Sequence, residues 1–512
     1  MKKKLSKNNI EYIRKVVLGP LVKSIGVQAW LVGGCVRDII HGDGINDVDI
    51  VCTDANGLVG CLDEFCSVNG IKHTIHPMGN GHATVFNVNT SGILNKDLDA
   101  LPVSIQMEIS QLDYDTIEQD AIYRDFICNS WYIDVSGDGK PFNPISGRSR
   151  VFDPKGKIIY PCNGYKTFTN NPLRVFRAMD LMCRGYRPTT ELHMGIIEFR
   201  KNSAPYLFGN RVDINLRGAA LQIIHKIFCR LASGEYDVEN VIYAFNYMAE
   251  LGMWKLIHPD MDAMIMCVHR NKYHHDSVWQ HTMEVIRNLA TIPVYQQQDI
   301  RVIPNEYDYW VALLHDIGKV STISYTYDPD KYESTTHFYD HQTASVAIAG
   351  EILKDSPLGK TRTDYVIGLI SHHMDTKPFG NEPIKYSQYK YIRKLQWELG
   401  SVLFDQAFNH FLAINHADCA ASDRDVNMNT PNVVAAVKDM AYNRGESAWG
   451  CYKIPVTGND IKEAFPNEPG VNIGKYIKQL YKVTFSRPSD YETKEQCIHY
   501  IGTLIKTGWI GK

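Results

Sequence analysis

Two aspartates separated by a single valine lie near the start of the chain, in the segment WLVGGCVRDIIHGDGINDVDIVCT (residues 30–53). The apolar residues around them predict a β-strand, in which Asp47 and Asp49 point to one face and Val48 to the other. Two carboxylates on one face repel each other unless a cation lies between them. The pattern therefore indicates a divalent metal site, and a turn followed by two solvated aspartates is the simpler alternative.

The residues before this pair suit an anion. Gly33 and Gly34 end an apolar strand, and the Val-Arg-Asp sequence that includes Arg37 predicts the start of a helix. Glycine lets backbone N–H groups approach a phosphate closely, and a helix N-terminus favours negative charge. Glu108, in the predicted strand VSIQMEIS, is expected to supply a third carboxylate. Such a site suits two metal ions, one near an attacking hydroxyl and one near a leaving pyrophosphate.

Two further pairs of charged residues add candidate nucleotide contacts. Arg124 and Asp125 lie at a predicted helix start, where an arginine fork suits phosphate and an aspartate suits a ribose hydroxyl. Taken alone, such a pair is more often a surface ion pair. Arg174 and Arg177 are three residues apart on a predicted helix, so both are expected to reach one cleft.

The elements that must position these residues change in character along the chain. Short β-rich runs alternate with helices from residue 27 to about 110, the segment 140–163 reads as a connector, and the pattern from Pro172 onward is mostly helical. The composition, 44% hydrophobic and 22% charged with a net charge of −3, is that of a globular protein without a global basic surface. The twelve cysteines show no CxxC spacing, and MKKKLSKNN has no apolar segment behind it, so we expect a cytoplasmic protein without a membrane span.

The metal segment resembles the signature of the class II tRNA nucleotidyltransferase and bacterial poly(A) polymerase family, a branch of the DNA polymerase β-like nucleotidyltransferases. Three later segments resemble the motifs RRDFTINA, EDPLR and LFPE-DA of that family in the same order. These segments are TIEQDAIYRDFICNSWYID, TFTNNPLRVFRAMDLMCRGY and MAELGMWKLIHPDMDAM. The resemblance implies Mg²⁺ at Asp47 and Asp49, ATP and CTP as nucleotides, the acceptor arm of tRNA or another RNA 3′ end as partner, and base reading by Arg174.

The chain departs from the family pattern at three positions. Tyr123 replaces the first arginine of RRD, and Asn170 and Asn171 replace the acidic pair of EDxxR. A carboxylate only accepts hydrogen bonds, whereas an asparagine amide both accepts and donates. Asn171 is therefore expected to tolerate the keto groups of U and G, and nucleotide choice is expected to be looser than the family norm.

A second set of histidines and aspartates occupies the helical part. Five segments in order, NKYHHDSVWQHTMEV, VALLHDIGKV, HFYDHQTASVA, GLISHHM and INHADCAASD, resemble the HD-domain metal-dependent phosphohydrolases. The resemblance implies a transition metal such as Ni²⁺, Mn²⁺ or Co²⁺, with one group of ligands and one of auxiliary residues. The implied ligands are His281, His315, Asp316 and Asp418, and the auxiliary residues are His341 and His373.

The resemblance implies an α+β nucleotidyltransferase head followed by an all-α neck and body with an HD domain. The expected parts are a head (1–160), a helical neck (161–265), an HD domain (266–425) and an RNA-contacting tail (426–512) that includes Lys475, Lys478 and Lys482. The function implied is addition or repair of the tRNA 3′-terminal CCA, with hydrolysis of a phosphoester such as a 2′,3′-cyclic phosphate at the HD site. Three alternatives remain: a poly(A) polymerase-like tailing enzyme, an RNA end-healing phosphohydrolase with a non-catalytic head, and a non-catalytic tRNA-binding protein.

Overall fold

The computed structural model describes residues 4–78, 83–89, 104–145, 155–207, 214–269, 276–291, 302–329, 332–375, 386–402, 407–422, 435–437, 439–440 and 453–509. The chain forms two compact units, residues 1–211 and 212–512. The predicted fold class, a mixed α+β head followed by a helical body, is confirmed. The four-part division remains a prediction, and its boundary near residue 425 lies outside the described residues, as does the polar segment 90–103.

The first unit contains a six-stranded mixed sheet with the spatial order β3-β4-β5-β2-β1-β6. Only the pair β2 and β5 is parallel among these neighbours, and the remaining neighbours are antiparallel. The strands are β1 Ala29–Val32, β2 Asp47–Cys52, β3 His73–Met78, β4 Ala83–Asn89, β5 Ser104–Gln111 and β6 Tyr132–Asp134. A small parallel pair is formed by β7 Ile158–Ile159 and β8 Arg187–Pro188.

Alternation along the strands separates the core from the candidate site. Val48 and Ile50 of β2 are fully buried with Phe86 of β4 and Ile109 of β5. This apolar face is covered by the helices of the same unit, so the opposite face of β2 carries the aspartates. The helices are α1 Lys7–Tyr12, α2 Gly19–Ser24, α3 Gly33–His41, α4 Ala55–Val68, α5 Ile117–Tyr123, α6 Lys166–Asn170, α7 Arg174–Cys183 and α8 Thr190–Leu207, with a π-helical turn at Ile13–Leu18 and a 3₁₀ turn at Ile127–Asn129.

The second unit is built mostly of helices. They are α9 Ile214–Ala232, α10 Val238–Glu250, α11 Pro259–Met266, α12 Val278–Thr291, α13 Glu306–Leu314, α14 Lys319–Thr322, α15 His341–Leu353, α16 Gly359–His372, α17 Tyr386–Val402, α18 Ala407–Ala420, α19 Gly458–Ala464, α20 Gly470–Thr484 and α21 Lys494–Lys506, with 3₁₀ turns at Trp254–Leu256 and Pro488–Tyr491. Within the parts of the chain that are described, no helix has the length and hydropathy needed to cross a membrane.

One hairpin interrupts these helices, and the helical pattern did not predict it. Strands β9 Ile323–Asp328 and β10 Glu333–Phe338 pair antiparallel between α14 and α15. Alternating polar and β-favouring residues in ISYTYD and ESTTHF are a strand signal of ordinary strength.

Candidate active site and metal centre

The sheet brings three carboxylates together. In the parallel register of β2 and β5, Asp49 pairs with Glu108, while Asp47 lies two residues away on the same face of β2. Burial raises the pKa of Asp49 to about 7, with further contributions from Asp47 and Glu108. Burial and the charge of Asp47 also raise the pKa of Glu108. A set of oxygen ligands whose charges repel one another fits a hard divalent cation such as Mg²⁺.

Gly33 allows the backbone to approach this cluster. Its φ is +71°, a left-handed conformation that favours glycine, and it is the first residue of α3. A Cβ atom at this position would lie 3.0 Å from Asp49 Oδ2. The helix begins at Gly33, three residues earlier than the sequence predicted, so Gly34 lies in its first turn. Val32 provides no side-chain cap for that turn, whose N–H groups therefore suit an anion.

Arg37 lies in a buried network. Its side chain donates to Asp38 Oδ1 from Nε at 2.8 Å and to Asn129 Oδ1 from Nη1 at 2.7 Å, and the residue is 7% exposed. The bond to Asn129 ties α3 to the 3₁₀ turn that follows α5. Arg37 thus supports the position of α3, and its contact with a nucleotide stays a prediction.

Asp125 is held by the same network. Its Oδ1 accepts from the Phe126 N–H at 2.7 Å and from Asn129 Nδ2 at 3.1 Å, and Arg177 Nε lies 3.0 Å from its Oδ2. Burial opposes the charge of Asp125, but Arg177 and Asn129 outweigh it and hold the pKa below its usual value. Asp125 is thus ionised and fixed, while the half-exposed Arg177 remains open to solvent.

Arg124 was predicted at a helix start, and the structure corrects this: it follows the last residue of α5. The helix ends there because the Arg124 backbone turns to an extended conformation. Its Nε donates to Asp120 Oδ2 at 2.9 Å and to the Tyr132 hydroxyl at 2.8 Å. The ideal Cβ position at Gly33 lies 3.6 Å from Arg124 Nη1, so the guanidinium adjoins the carboxylate cluster.

Arg174 and Asn171 meet at the start of α7. Arg174 donates to the backbone carbonyls of Thr167 and Tyr123, at 3.2 and 2.5 Å. Burial lowers the pKa of Arg174. Asn171 is exposed, and its Oδ1 accepts from the Leu173 N–H at 3.0 Å. The carboxamide oxygen of Asn171 therefore caps the turn, and the exposed amide keeps both acceptor and donor capacity for a ligand.

In the second unit, four histidines point their Nε2 atoms toward Asp316. The Nδ1 atoms face backbone carbonyls: His315 faces Ala312 at 3.0 Å, His341 faces Phe338 at 2.9 Å, His373 faces Ile370 at 2.7 Å and His281 faces Ala421 at 3.4 Å. A proton on Nδ1 leaves Nε2 as the free acceptor, which is the arrangement of metal-ligating histidines. The backbone therefore selects one tautomer for all four rings.

Asp316 joins these imidazoles into two groups. Its Oδ2 lies 3.5 and 3.3 Å from Nε2 of His281 and His315, and its Oδ1 lies 3.2 and 3.7 Å from Nε2 of His341 and His373. Asp418 Oδ1 completes the first group at 2.9 Å from His281 Nε2. Two sets of three side chains, His281 with His315 and Asp316, and Asp316 with His341 and His373, meet the spacing of a metal site.

The electrostatics of this cluster fit a cation at its centre. Burial opposes a proton on His315, but Asp316 and Asp418 outweigh it and raise the pKa of His315 to about 10. Burial likewise opposes the charges of Asp316 and Asp418, yet His315 keeps the pKa of Asp316 well below its usual value and His281 does the same for Asp418. The two carboxylates therefore require positive charge among the imidazoles, which a transition metal ion supplies.

Sequence reasoning missed several supporting residues. Asp120 and Tyr132 hold Arg124, and Asn129 joins Arg37 to Asp125. Lys319 Nζ lies 2.5 Å from Asp316 Oδ2. The i, i+3 spacing of Asp316 and Lys319 and the i, i+4 spacing of Asp120 and Arg124 were usable signals. Tyr132 and Asn129 lie on other elements and left no signal in the local sequence.

Two family models match separate parts of the chain. Residues 29–156 match the Poly A polymerase head domain family and residues 278–393 match the HD domain family. A multifunctional CCA protein of Neisseria gonorrhoeae is 23% identical over 299 residues, which are 58% of this chain and 63% of that protein. A CC-adding tRNA nucleotidyltransferase of Halalkalibacterium halodurans is 29% identical over 156 residues, 30% of this chain and 34% of that protein. The chain thus spans less than two thirds of these curated relatives.

The fold has solved counterparts. The CCA-adding enzyme of Thermotoga maritima complexed with tRNA aligns over 99% of this chain and 100% of its own, with a TM-score of 0.52 and 14% identity. A CCA-adding enzyme in an apo form aligns over 98% of this chain and 95% of its own, with a TM-score of 0.56 and 14% identity. At this level of identity the likeness concerns the fold.

Proposed function

Because the chain belongs to the class II tRNA nucleotidyltransferase and poly(A) polymerase family and carries an HD domain, we propose that it adds or repairs the 3′-terminal CCA of tRNA from CTP and ATP. The observation that carries the proposal is the cluster of Asp47, Asp49 and Glu108 on adjacent strands beside the Gly33 turn. The named activities of the relatives, a CCA protein and a CC-adding enzyme, agree with it.

Different groups of the head would bind the metal and the triphosphate. Asp47 and Asp49, with Glu108, would hold magnesium, which when bound supplies charge neutralisation at the 3′-hydroxyl and at the departing pyrophosphate. The N–H groups of the first turn of α3 and the guanidinium of Arg124 would bind the triphosphate. Attack of the RNA 3′-hydroxyl on the α-phosphorus then proceeds in line with the leaving pyrophosphate, and the head contributes mainly positioning.

The contacts at α7 support looser nucleotide choice. An aspartate at position 171 could cap the turn with one oxygen and accept from the exocyclic amine of C or A with the other. Asn171 has one oxygen, which accepts from the Leu173 N–H at 3.0 Å and so caps the turn. The second lone pair of that oxygen can still accept from the exocyclic amine of C or A, while Nδ2 can donate to the keto oxygen of U or G. We therefore expect UTP and GTP to compete better than in enzymes with the acidic residue.

For the second unit we propose hydrolysis of a phosphoester, with an RNA end bearing a 2′,3′-cyclic phosphate as the substrate. His281, His315, Asp316 and Asp418 would hold Ni²⁺, Mn²⁺ or Co²⁺, which when bound supplies an activated water. His341 and His373 share Asp316 with that set, so they would hold either a second ion or the phosphate. The matched orientation of four Nε2 atoms supports an intact site.

The experiment that tests the transfer proposal offers single nucleotides to tRNA transcripts that end before CCA, after the first C and after the second C. The double variant Asp47→Ala, Asp49→Ala serves as the blank. Ordered addition of C, C and A supports the proposal. Addition of A to every transcript would indicate a tailing enzyme instead, and incorporation no higher than the blank would reduce the head to RNA binding.

A further inference from the structure

Tyr114 and Tyr123 form a parallel stack at the end of α5. Their ring centroids are 4.7 Å apart and the interplanar angle is 2°. Tyr123 is the last residue of the helix and is 43% exposed, whereas Tyr114 is half-buried. Because Tyr114 covers one face of the Tyr123 ring, the exposed area lies on the opposite face and edge. This is an open aromatic surface with a rigid support behind it.

The stack adjoins the cationic side chains of the head site. The backbone carbonyl of Tyr123 accepts from Arg174 Nη2 at 2.5 Å. Arg174, which is expected to read the base, is therefore bonded to the backbone of a residue in the stack. Arg124, the next residue along the chain, lies beside Gly33 and the carboxylate cluster. Tyr123 therefore occupies a position from which its ring can reach the base of a nucleotide whose triphosphate lies on Arg124.

The chemistry of the substitution agrees with this position. The family pattern has an arginine where this chain has Tyr123, and an uncharged phenol cannot replace that charge at a phosphate. An aromatic ring instead offers its face to a base, and proteins that bind nucleotides and single-stranded RNA commonly combine such a face with an arginine. Stacking is tolerant of base identity, which is consistent with the looser selection expected from Asn171.

We propose that Tyr123, supported by Tyr114, is the platform on which the base of the incoming nucleotide stacks while Arg174 contacts its hydrogen-bonding edge. The inference rests on the proposed function in that the nucleotide is CTP or ATP. The proposal assigns nucleotide affinity to the Tyr114–Tyr123 stack and base selectivity to the residues at the start of α7.

The test is equilibrium binding to the full chain with Mg²⁺ and without RNA, so that no transfer occurs. The ligands are ATP, CTP and ribose 5-triphosphate, which lacks a base. We expect Tyr123→Ala to raise the Kd for ATP and CTP by about 5- to 100-fold and to leave that for ribose triphosphate unchanged. Tyr123→Phe should keep the wild-type affinities and Tyr123→Trp should bind ATP at least as tightly, since both retain the ring.

The matched control is Tyr243→Ala, because Tyr243 is a similarly exposed tyrosine (38%) stacked on Tyr247 in the second unit. It should leave every Kd unchanged. Equal loss of ATP and ribose triphosphate binding in Tyr123→Ala, or unchanged ATP and CTP binding, would overturn the platform. Weaker tRNA binding with unchanged nucleotide binding would overturn its assignment to the incoming nucleotide. Base-dependent binding without CCA addition would refute the proposed function and leave the platform standing.

Discussion

Asp49 links the charge of the head site to its stability. Its folded-state pKa, about 7, is above the ordinary value of 3.8 because of burial and the neighbouring Asp47 and Glu108. A group with a raised folded pKa stabilises the fold fully below its unfolded pKa, and this stabilisation is lost as pH rises through the folded pKa. In EDTA we therefore expect the free energy of unfolding to fall between pH 4 and pH 8, by on the order of a few kcal/mol.

The measurement is thermal or urea unfolding in EDTA across this pH range, for wild type and Asp49→Asn. The amide cannot ionise, so the variant should lose most of the decrease between pH 4 and pH 8. Added Mg²⁺ should restore the free energy of unfolding of the wild-type protein at pH 8, because the cation neutralises the three carboxylates. If the stability of Asp49→Asn depended on pH as that of wild type does, ionisation of Asp49 would not be the cause of the decrease.

Asn171 provides a prediction about nucleotide choice. Asn171→Asp keeps an oxygen for the Leu173 N–H and adds a second acceptor toward the base. We expect incorporation of UTP and GTP to fall relative to CTP and ATP by about 10- to 100-fold, the effect of a hydrogen bond that involves a charged group. The measurement is the ratio of single-nucleotide incorporation rates on one tRNA transcript.

Asn170→Asp is the control for this comparison, since Asn170 is the exposed last residue of α6 and the change adds the same charge one position away. It should leave the ratio of keto to amino nucleotides near that of wild type. A similar shift in both variants would mean that the charge, and not the acceptor at position 171, alters the selection.

At the scale of elements, Asp308 joins three helices that carry the metal ligands. It lies in the first turn of α13 and is fully buried, and it accepts from the Asn305 N–H at 2.8 Å, from the Tyr365 hydroxyl on α16 at 3.1 Å and from His410 Nδ1 on α18 at 2.7 Å. The ends of these three helices hold His315, His373 and Asp418. The network therefore fixes the spacing of the ligands from about two turns away.

We expect Asp308→Ala to lower the free energy of unfolding by about 3–5 kcal/mol, because removing one partner of a buried ionic network leaves the others unpaired. Phosphohydrolase activity should fall with it, while CCA addition should persist wherever the protein remains folded. Asp364→Ala on α16 is the control: Asp364 is exposed, with Lys360 at 3.9 Å, and should cost less than about 1 kcal/mol. Equal losses of stability in the two variants would contradict a role for the network.

The secondary-structure elements also show which features could be predicted from the sequence and which could not. The alternation of DVDIVC predicted the shared face of Asp47 and Asp49, because strand geometry follows from local sequence. The burial of Arg37 could not be predicted, since its partner Asn129 is 92 residues away in the chain. The hairpin β9–β10 was not predicted, because the segments that flank it, YWVALLHDI and TASVAIAGEILK, have helical periodicity. The assignment of Arg124 to a helix start failed because Thr116 caps the helix seven residues before its end.

For the whole molecule, the two sites differ in ligand chemistry, and this predicts that their activities separate by metal. The head cluster offers only carboxylate oxygens, whereas the cluster in the second unit offers four imidazoles and two carboxylates. Oxygen sites suit Mg²⁺ and also Mn²⁺, whereas imidazole sites favour Ni²⁺ and Co²⁺. We expect protein stripped with a chelator to regain CCA addition with Mg²⁺ and phosphohydrolase activity with Ni²⁺ or Co²⁺.

Paired variants make this prediction independent of metal purity. Asp47→Ala, Asp49→Ala should abolish addition and leave hydrolysis of a cyclic phosphate at the wild-type rate. His315→Ala should abolish hydrolysis, because it removes an Nε2 that faces both Asp316 and Asp418, and should leave addition intact. Loss of both activities in either variant, or recovery of both with Mg²⁺ alone, would contradict two chemically independent sites. Separation in both experiments would establish that one chain carries a magnesium transferase and a transition-metal hydrolase.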